Sequence, residues 1–384
     1  MVLRGIDAFT NQPVEVRFDS TITGVDPLID TPAGSLPLLA PGWIDLQVNG
    51  FAGADYCDPH CPLEEIDRSL DVQFSTGVTR LLATVITGGE KEIVGSMRNL
   101  ANAKEQLRHG PAIEGFHVEG PHISGEEGPR GAHPQRHVRP PDVNEFYRWQ
   151  EAARGYIRLV TVSPEWPEAP HYIETLVREG VVMSIGHTKA NSAQIDDAVR
   201  AGATKSTHLG NGAHGMLPRH PNYIWDQLAD DRLAAGFIAD GFHLSASFLK
   251  SAIRAKGLER SILVTDAVGP AECQPGFYRL GEVDVELLAE GRVVMKGGTR
   301  LAGSALRMDV AIGNTVRMAE VSLAQALTMA SRNPARVARM PNRQRGLEPG
   351  ERGDLVEFQF DERASKICVL RTWLSGEQVF AAAT

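Results

Sequence analysis

The chain has 384 residues, 42% hydrophobic and 23% charged, a composition near the average of folded globular proteins that excludes collagen-like repeats, coiled coils and extended disorder. A formal net charge of -9 argues against a general attraction to nucleic acid or anionic lipid, so any anion site has to be built locally. Four scattered cysteines make no disulfide framework, no apolar run approaches the roughly 18 residues of a membrane span, and Met1 to Asp7 lacks the apolar core of a secretory signal; the expected location is the cytoplasm.

Residues 1 to about 38 alternate short apolar stretches such as Val14-Glu15-Val16-Arg17-Phe18 with turn residues, the period-2 texture of half-exposed strands. The same texture returns at Asp354-Leu355-Val356-Glu357-Phe358 and Ile367-Cys368-Val369-Leu370, after the turn Glu348-Pro349-Gly350-Glu351. The two ends, 1–38 and 345–384, are therefore expected to form one small β-sandwich domain. The unit between them, 39–344, alternates short apolar runs with helical patterns, and strands are predicted near 43–48, 78–86, 112–119, 157–163, 181–186, 204–208, 235–240 and 261–266. Eight such units close most economically into a (β/α)8 barrel. Apolar spacing at i, i+3/i+4 predicts a helix over Ala193 to Ala201, capped by Asn191 or Ser192. Between about 275 and 300, Val283 to Leu287 and Val293 to Met295 flank a Glu290-Gly291 turn and read as an inserted hairpin.

The informative pattern is what stands where these strands end, because a barrel brings all eight C-terminal strand ends to one mouth. The third strand stops at Glu119, the fifth at His187 and the sixth at His208. Alone, each is more simply a strand-end carboxylate in an ion pair or a hydrogen-bonded histidine. Together they are the three protein ligands of an open catalytic metal site, and imidazole with carboxylate suits zinc or iron(II). The eighth strand delivers Asp266, a candidate proton carrier, against the plainer reading of a turn-capping aspartate. His117 shares a strand face with Glu119 and reads as packed core rather than as a partner of the ligands. Gln47 and Asn49 share a face of the first strand, and amides are poor ligands, so one ion rather than two is expected. Cys57-Asp58-Pro59-His60-Cys61 gathers two thiols and an imidazole, but a cysteine zinc site needs further ligands, and Cys273 and Cys368 lie far off.

These residues, with Pro41 to Gly50, His117-Val118-Glu119-Gly120-Pro121, Ser184 to Thr188 and Thr207-His208-Leu209, resemble the N-acetylglucosamine-6-phosphate deacetylases, an amidohydrolase family, over nearly the whole chain. Gly131-Ala132-His133, Ala239 to His243, Thr265-Asp266-Ala267 and Leu301-Ala302-Gly303-Ser304 follow in the family's order. The resemblance implies a barrel with a terminal β-sandwich, a homodimer, and deacetylation of an amino sugar phosphate. It assigns one divalent metal, zinc first and iron(II) second, to Glu119, His187 and His208, with Asp266 as general base and acid and His133 polarising the carbonyl. It places Gln47, Asn49, Ala132, His133, Asn211, Gly212, His243, Leu301, Ala302, Gly303 and Ser304 around the substrate, with Arg219 reaching the phosphate of the neighbouring subunit.

Departures from the family fall on the substrate side. Asn-Ala-Met becomes Asn211-Gly212-Ala213-His214-Gly215-Met216, Arg-Glu-Pro becomes Arg219-His220-Pro221, and Pro221 to Trp225 replaces a glycine-rich stretch. Loss of the alanine methyl at Gly212 implies a loop free to flex. Two rival expectations are an amidohydrolase acting on another amide (an unphosphorylated amino sugar, an N-acyl amino acid or a cyclic amide) and a non-catalytic sensor of amino sugar phosphates.

Overall fold

A computed structural model describes residues 1–29 and 36–383. In chain order, β1 (Val2–Asp7), β2 (Pro13–Phe18), β3 (Ile22–Pro27) and β4 (Leu38–Pro41) lead into the first barrel strand, β5 (Trp43–Val48), and a two-residue pair, β6 (Gly50–Phe51) and β7 (Ala54–Asp55). Next come α1 (Leu63–Ser75), β8 (Val78–Ile86), α2 (Glu90–Gln106), β9 (Ile113–Glu119), α3 (Val143–Ala152), β10 (Ile157–Val162), α4 (Ala169–Arg178) and β11 (Val182–Ile185). The barrel continues through α5 (Ser192–Arg200), β12 (Lys205–Ser206), α6 (Tyr223–Ala229), β13 (Ala234–Phe237), α7 (Ala246–Lys256) and β14 (Ser261–Leu263).

The eight strands β5 and β8 to β14 pair in parallel in the order of the sequence, and all eight fall on the predicted segments. A parallel bridge from Val48 to Ala267 joins first strand to last, with Asp266 N donating to Gln47 O at 3.0 Å and Asn49 N to Ala267 O at 2.7 Å. Buried Asp45 adds a side-chain clasp across this seam, accepting from the Thr265 hydroxyl and from the backbone N–H groups of Thr265 and Gln47. Asn191 caps α5 in a reciprocal box with Gln194, settling the choice between Asn191 and Ser192.

The predicted hairpin is one strand larger: β15 (Gly276–Leu280), β16 (Val283–Leu287) and β17 (Val293–Met295) form an antiparallel sheet with its own apolar cluster. β15 reads Gly-Phe-Tyr-Arg-Leu, with Phe277 exposed, and lacks the apolar alternation that marks its two neighbours. Helices α8 (Met308–Ala319), α9 (Leu323–Ala330) and α10 (Arg332–Val337) complete the shell, and β18 (Leu355–Asp361), β19 (Lys366–Leu374) and β20 (Glu377–Ala381) join the N-terminal strands.

The terminal domain holds strands from both chain ends in a single seven-stranded sheet, ordered β20-β19-β18-β4-β1-β2-β3. The sheet doubles over in sandwich fashion, so that Phe18 on β2 meets Trp373 on β19 edge to face, ring centroids 6.0 Å apart. Its strands include Leu38–Pro41, three residues beyond the segment expected from the sequence. Buried Asp354 receives Arg80 Nε at 2.9 Å, and Arg80 stands at the start of β8, so this domain grips the N-terminal ends of the barrel strands. Among the described residues no helix is long and apolar enough to cross a membrane.

Candidate active site

At the opposite end of the barrel, three donors from three strand ends converge. Glu119 Oε1 lies 2.9 Å from His208 Nε2 and 3.4 Å from His187 Nε2, and the two imidazole nitrogens are 3.1 Å apart. A tetrahedral ion with donors at about 2.0–2.1 Å holds them about 3.3 Å from one another. Two imidazole nitrogens and one carboxylate oxygen thus share a single focus, at spacings close to those of ligands around one ion. The Nδ1 of His187 meets Pro129 O at 2.8 Å; a carbonyl oxygen only accepts, so Nδ1 carries a proton and Nε2 is the atom turned toward that focus. Burial alone would raise the Glu119 carboxyl, but hydrogen bonds from His187 and His208 outweigh it and hold it well below the usual range. His187 shifts the other way: Glu119 overcomes the desolvation that would lower it.

A looser grouping of Glu119, His133 and His187 also brings donor atoms within 4.8 Å of one another. His133 Nε2 stands 4.0 Å from Glu119 Oε2, farther than the 2.9 Å between His208 Nε2 and Oε1. Burial lowers His133 to about 3, so its ring is neutral, and Thr87 Oγ1 lies 2.8 Å from its Nδ1. His117 lies in the barrel core, its Nε2 2.8 Å from Thr161 Oγ1, and burial lowers it to about 3.

Asp266 shares the cavity with the three donors. Its Oδ1 accepts from Asn49 Nδ2 at 2.8 Å and from Gln47 Nε2 at 3.1 Å, and Gln47 Nε2 also reaches Glu119 Oε1 at 2.8 Å. Gln47 thus ties Asp266 to Glu119. Burial, then the Glu119 charge, raises Asp266 to about 6. Gln47 Oε1, Asn49 Oδ1 and His208 Nδ1 are buried without a hydrogen-bond partner among the protein groups. Backbone strain gathers here: His187, His208 and Asp266 have φ of +48°, +28° and +52°, conformations that cost non-glycine residues about 1–3 kcal/mol each and cluster at active sites.

The cavity measures about 370 Å³ and its wall includes Asn49, Ala132, His133, Asn211, Gly212, His243, Leu301 and Gly303 from the expected substrate set. Four expected contacts lie elsewhere. Gln47 is fully buried behind Glu119 and Asp266. Ala302 is buried in the inserted sheet's apolar cluster, since alternate residues of the Leu301 to Ser304 segment face away from the cavity. Ser304 hydrogen-bonds Thr265 O at 2.6 Å and donates its N–H to Asp266 O, so it braces the Asp266 backbone. Arg219 is exposed on the loop before α6 and is not on the wall of its own chain.

Gly212 is no point of slack. Its φ is +56°, and a methyl there would fall 2.7 Å from His187 Nδ1, so the substrate loop takes glycine because the chain passes close over an imidazole. His214 lines the cavity and bridges loops: its N–H and Nδ1 both lie 2.9 Å from the Tyr223 hydroxyl, and its Nε2 is 3.0 Å from Glu126, itself paired with Lys189. His243 Nδ1 is held by Asp240 at 2.6 Å. In the Cys57 to Cys61 segment, Cys57 Sγ donates to Thr84 O and accepts from Ile86 N, and burial pushes Cys57 well up and Cys61 to about 12.

Sequence reasoning missed Thr87, Asp240, Glu126 and Arg300 as parts of this site. Asp240 stands three residues before His243, a spacing that could have found it; the others sit in loops or strand ends that only the fold brings together.

The amidohydrolase family profile matches residues 38–379. N-acetylglucosamine-6-phosphate deacetylase of Bacillus subtilis is 33% identical over 340 residues, covering 87% of this chain and 83% of that protein. N-acetylgalactosamine-6-phosphate deacetylase of a Shewanella species is 33% identical over 347 residues, covering 90% and 84%. The structure of N-acetyl-D-glucosamine-6-phosphate deacetylase from Mycobacterium smegmatis, solved with N-acetyl-D-glucosamine-6-phosphate, superposes with a TM-score of 0.88 at 29% identity, covering 99% of each chain. With a family match across almost the whole chain and relatives of this closeness, the chain belongs to the amidohydrolase family, in the branch of the N-acetyl amino sugar phosphate deacetylases.

Proposed function

We propose that the protein hydrolyses the acetamide of N-acetylglucosamine 6-phosphate to glucosamine 6-phosphate and acetate, with Glu119, His187 and His208 holding one divalent ion, zinc first and iron(II) second. The observation that carries this reading is the convergence of those three donors with Asp266 in one cavity. When bound, the ion supplies Lewis acidity, easing ionisation of a water and polarising the acetamide carbonyl. Asp266, aimed by Asn49 and Gln47, takes a proton from the attacking water as its oxygen bonds to the carbonyl carbon. It then gives that proton to the nitrogen as the C–N bond breaks, releasing amine and acetate. In the tautomer with the proton on Nε2, for which the Thr87 hydroxyl donates to Nδ1, neutral His133 offers that proton to the carbonyl oxygen.

Asn211, Gly212 and His243 line the part of the cavity suited to the sugar phosphate. The reading carries with it a cytoplasmic homodimer in which exposed Arg219 serves the neighbouring subunit. N-acetylgalactosamine 6-phosphate is a second candidate substrate, favoured by the equally similar Shewanella relative and by the altered Asn211 to Met216 loop. The test is a deacetylation assay across phosphorylated and unphosphorylated N-acetyl amino sugars with metal analysis of the same sample. Turnover of a phosphorylated sugar, lost on chelation and lowered about 10²- to 10⁴-fold by Asp266→Asn, is expected; no turnover of any of them overturns the reading.

A further inference from the structure

We infer that Arg300 is a specificity-determining residue of this cavity, its guanidinium binding the substrate phosphate from within the same chain and releasing Glu127 as it does so. The inference rests on reading the substrate as a sugar phosphate. Among the described residues Arg300 is the only lysine or arginine on the cavity wall, which also carries the carboxylates of Glu119 and Asp266. A phosphate monoester brings about two further negative charges at neutral pH, and an ion at the floor lies beside the acetamide, so a cation on the chain's own wall adds to whatever Arg219 of a neighbouring subunit supplies.

The inserted sheet supplies it. Met295 N donates to Arg300 O at 2.8 Å and Val294 bridges Leu301, which fixes the backbone that presents the side chain. The guanidinium donates to Gly131 O at 3.3 Å and pairs with Glu127. Gly131 and Gly212 adjoin the same edge of His187, since a Cβ on either would lie within 3.3 Å of His187 Cε1. The guanidinium is therefore hung on the Gly131 stretch of a wall that Gly212 also lines. Its partner is easily exchanged: the Glu127 side chain is 78% exposed, and ion pairs in such solvent are weak. A phosphate offers the guanidinium fork two oxygens and more charge than the carboxylate it displaces.

Wild type, Arg300→Gln and Glu127→Gln are compared in kcat and KM on N-acetylglucosamine 6-phosphate and N-acetylglucosamine, and by calorimetric titration with glucosamine 6-phosphate and glucosamine. Arg300→Gln is expected to cut the preference for the phosphorylated sugar by about 10- to 100-fold, mostly through KM, and to weaken glucosamine 6-phosphate binding in proportion. Glu127→Gln, which removes the competing carboxylate, is expected to lower KM for the phosphorylated sugar. Equal losses on both sugars would mark a merely structural Arg300, bracing the Gly131 to His133 loop, and overturn the inference, as would an unchanged preference. If wild type deacetylates neither sugar, the functional reading fails, and the titrations decide Arg300 separately: phosphate-dependent binding weakened by Arg300→Gln upholds it, and binding indifferent to that change overturns it.

Discussion

The floor and the rim of the cavity are built by different means. On the floor, Glu119, His187, His208 and Asp266 are buried at strand ends and held by neighbours from other strands, Gln47 reaching two of them at once. On the rim, Glu126, Glu127, His214 and Arg300 stand in loops or beside the inserted sheet, half or wholly exposed and joined by ion pairs. The floor is fixed by the hydrogen bonds of the barrel itself, so its geometry is a property of the fold. The rim depends on contacts between loops; of the departures from the family pattern, Asn211 to Gly215 lies on the cavity wall and Arg219 to Trp225 lies off it.

Substitutions can break this contrast. Gln47→Leu, a change on the floor that touches no cavity surface, is expected to cost about 10- to 100-fold in metal affinity or activity, since Glu119 and Asp266 lose a shared brace; metal titration and kcat/KM measurements check it, and a silent variant would show that the floor does not need its backing. Gly212→Ala brings the two regions into collision, because its methyl meets His187. A stability loss of about 1–3 kcal/mol by denaturant unfolding is expected, together with weaker metal binding. The smallest effect is on pH dependence. Asp266 must be ionised to act, and burial with the Glu119 charge raises it to about 6, so kcat/KM should fall as pH drops below about 6, a bound cation moving that limb lower still. Asn49→Leu removes a hydrogen bond that lowers Asp266, and the limb should move to higher pH; an unmoved limb would assign it to another group.

All eight barrel strands and the four floor residues were legible in the sequence, because apolar runs ending in His, Glu or Asp carry both signals at once. β15 was not legible: Phe277 faces solvent, so its alternation points the wrong way. Glycine 212 misled in the opposite sense, reading as freedom where the structure requires a close approach and a positive φ. Gln47 and Ser304 were placed by motif near the substrate, yet they act on Glu119 and Asp266, a distinction that depends on distances across the barrel. Arg300 carried no sequence signal, since its place on the wall depends on how the inserted sheet lies against the 125–133 loop.

The left-handed backbone at His187, His208 and Asp266 breaks strand parity. Ser184 and Thr207 join Thr161 and His117 in a chain of hydrogen bonds through the barrel interior, so strict alternation would send His187 and His208 outward, an odd number of residues later. Glu119 keeps step with His117 and has no such φ. One reversed torsion at the close of a strand lets consecutive side chains, Thr207 and His208, point to the same side. Odd-numbered offsets can thus serve a catalytic mouth, and a search that counts only every second residue would pass over most of it.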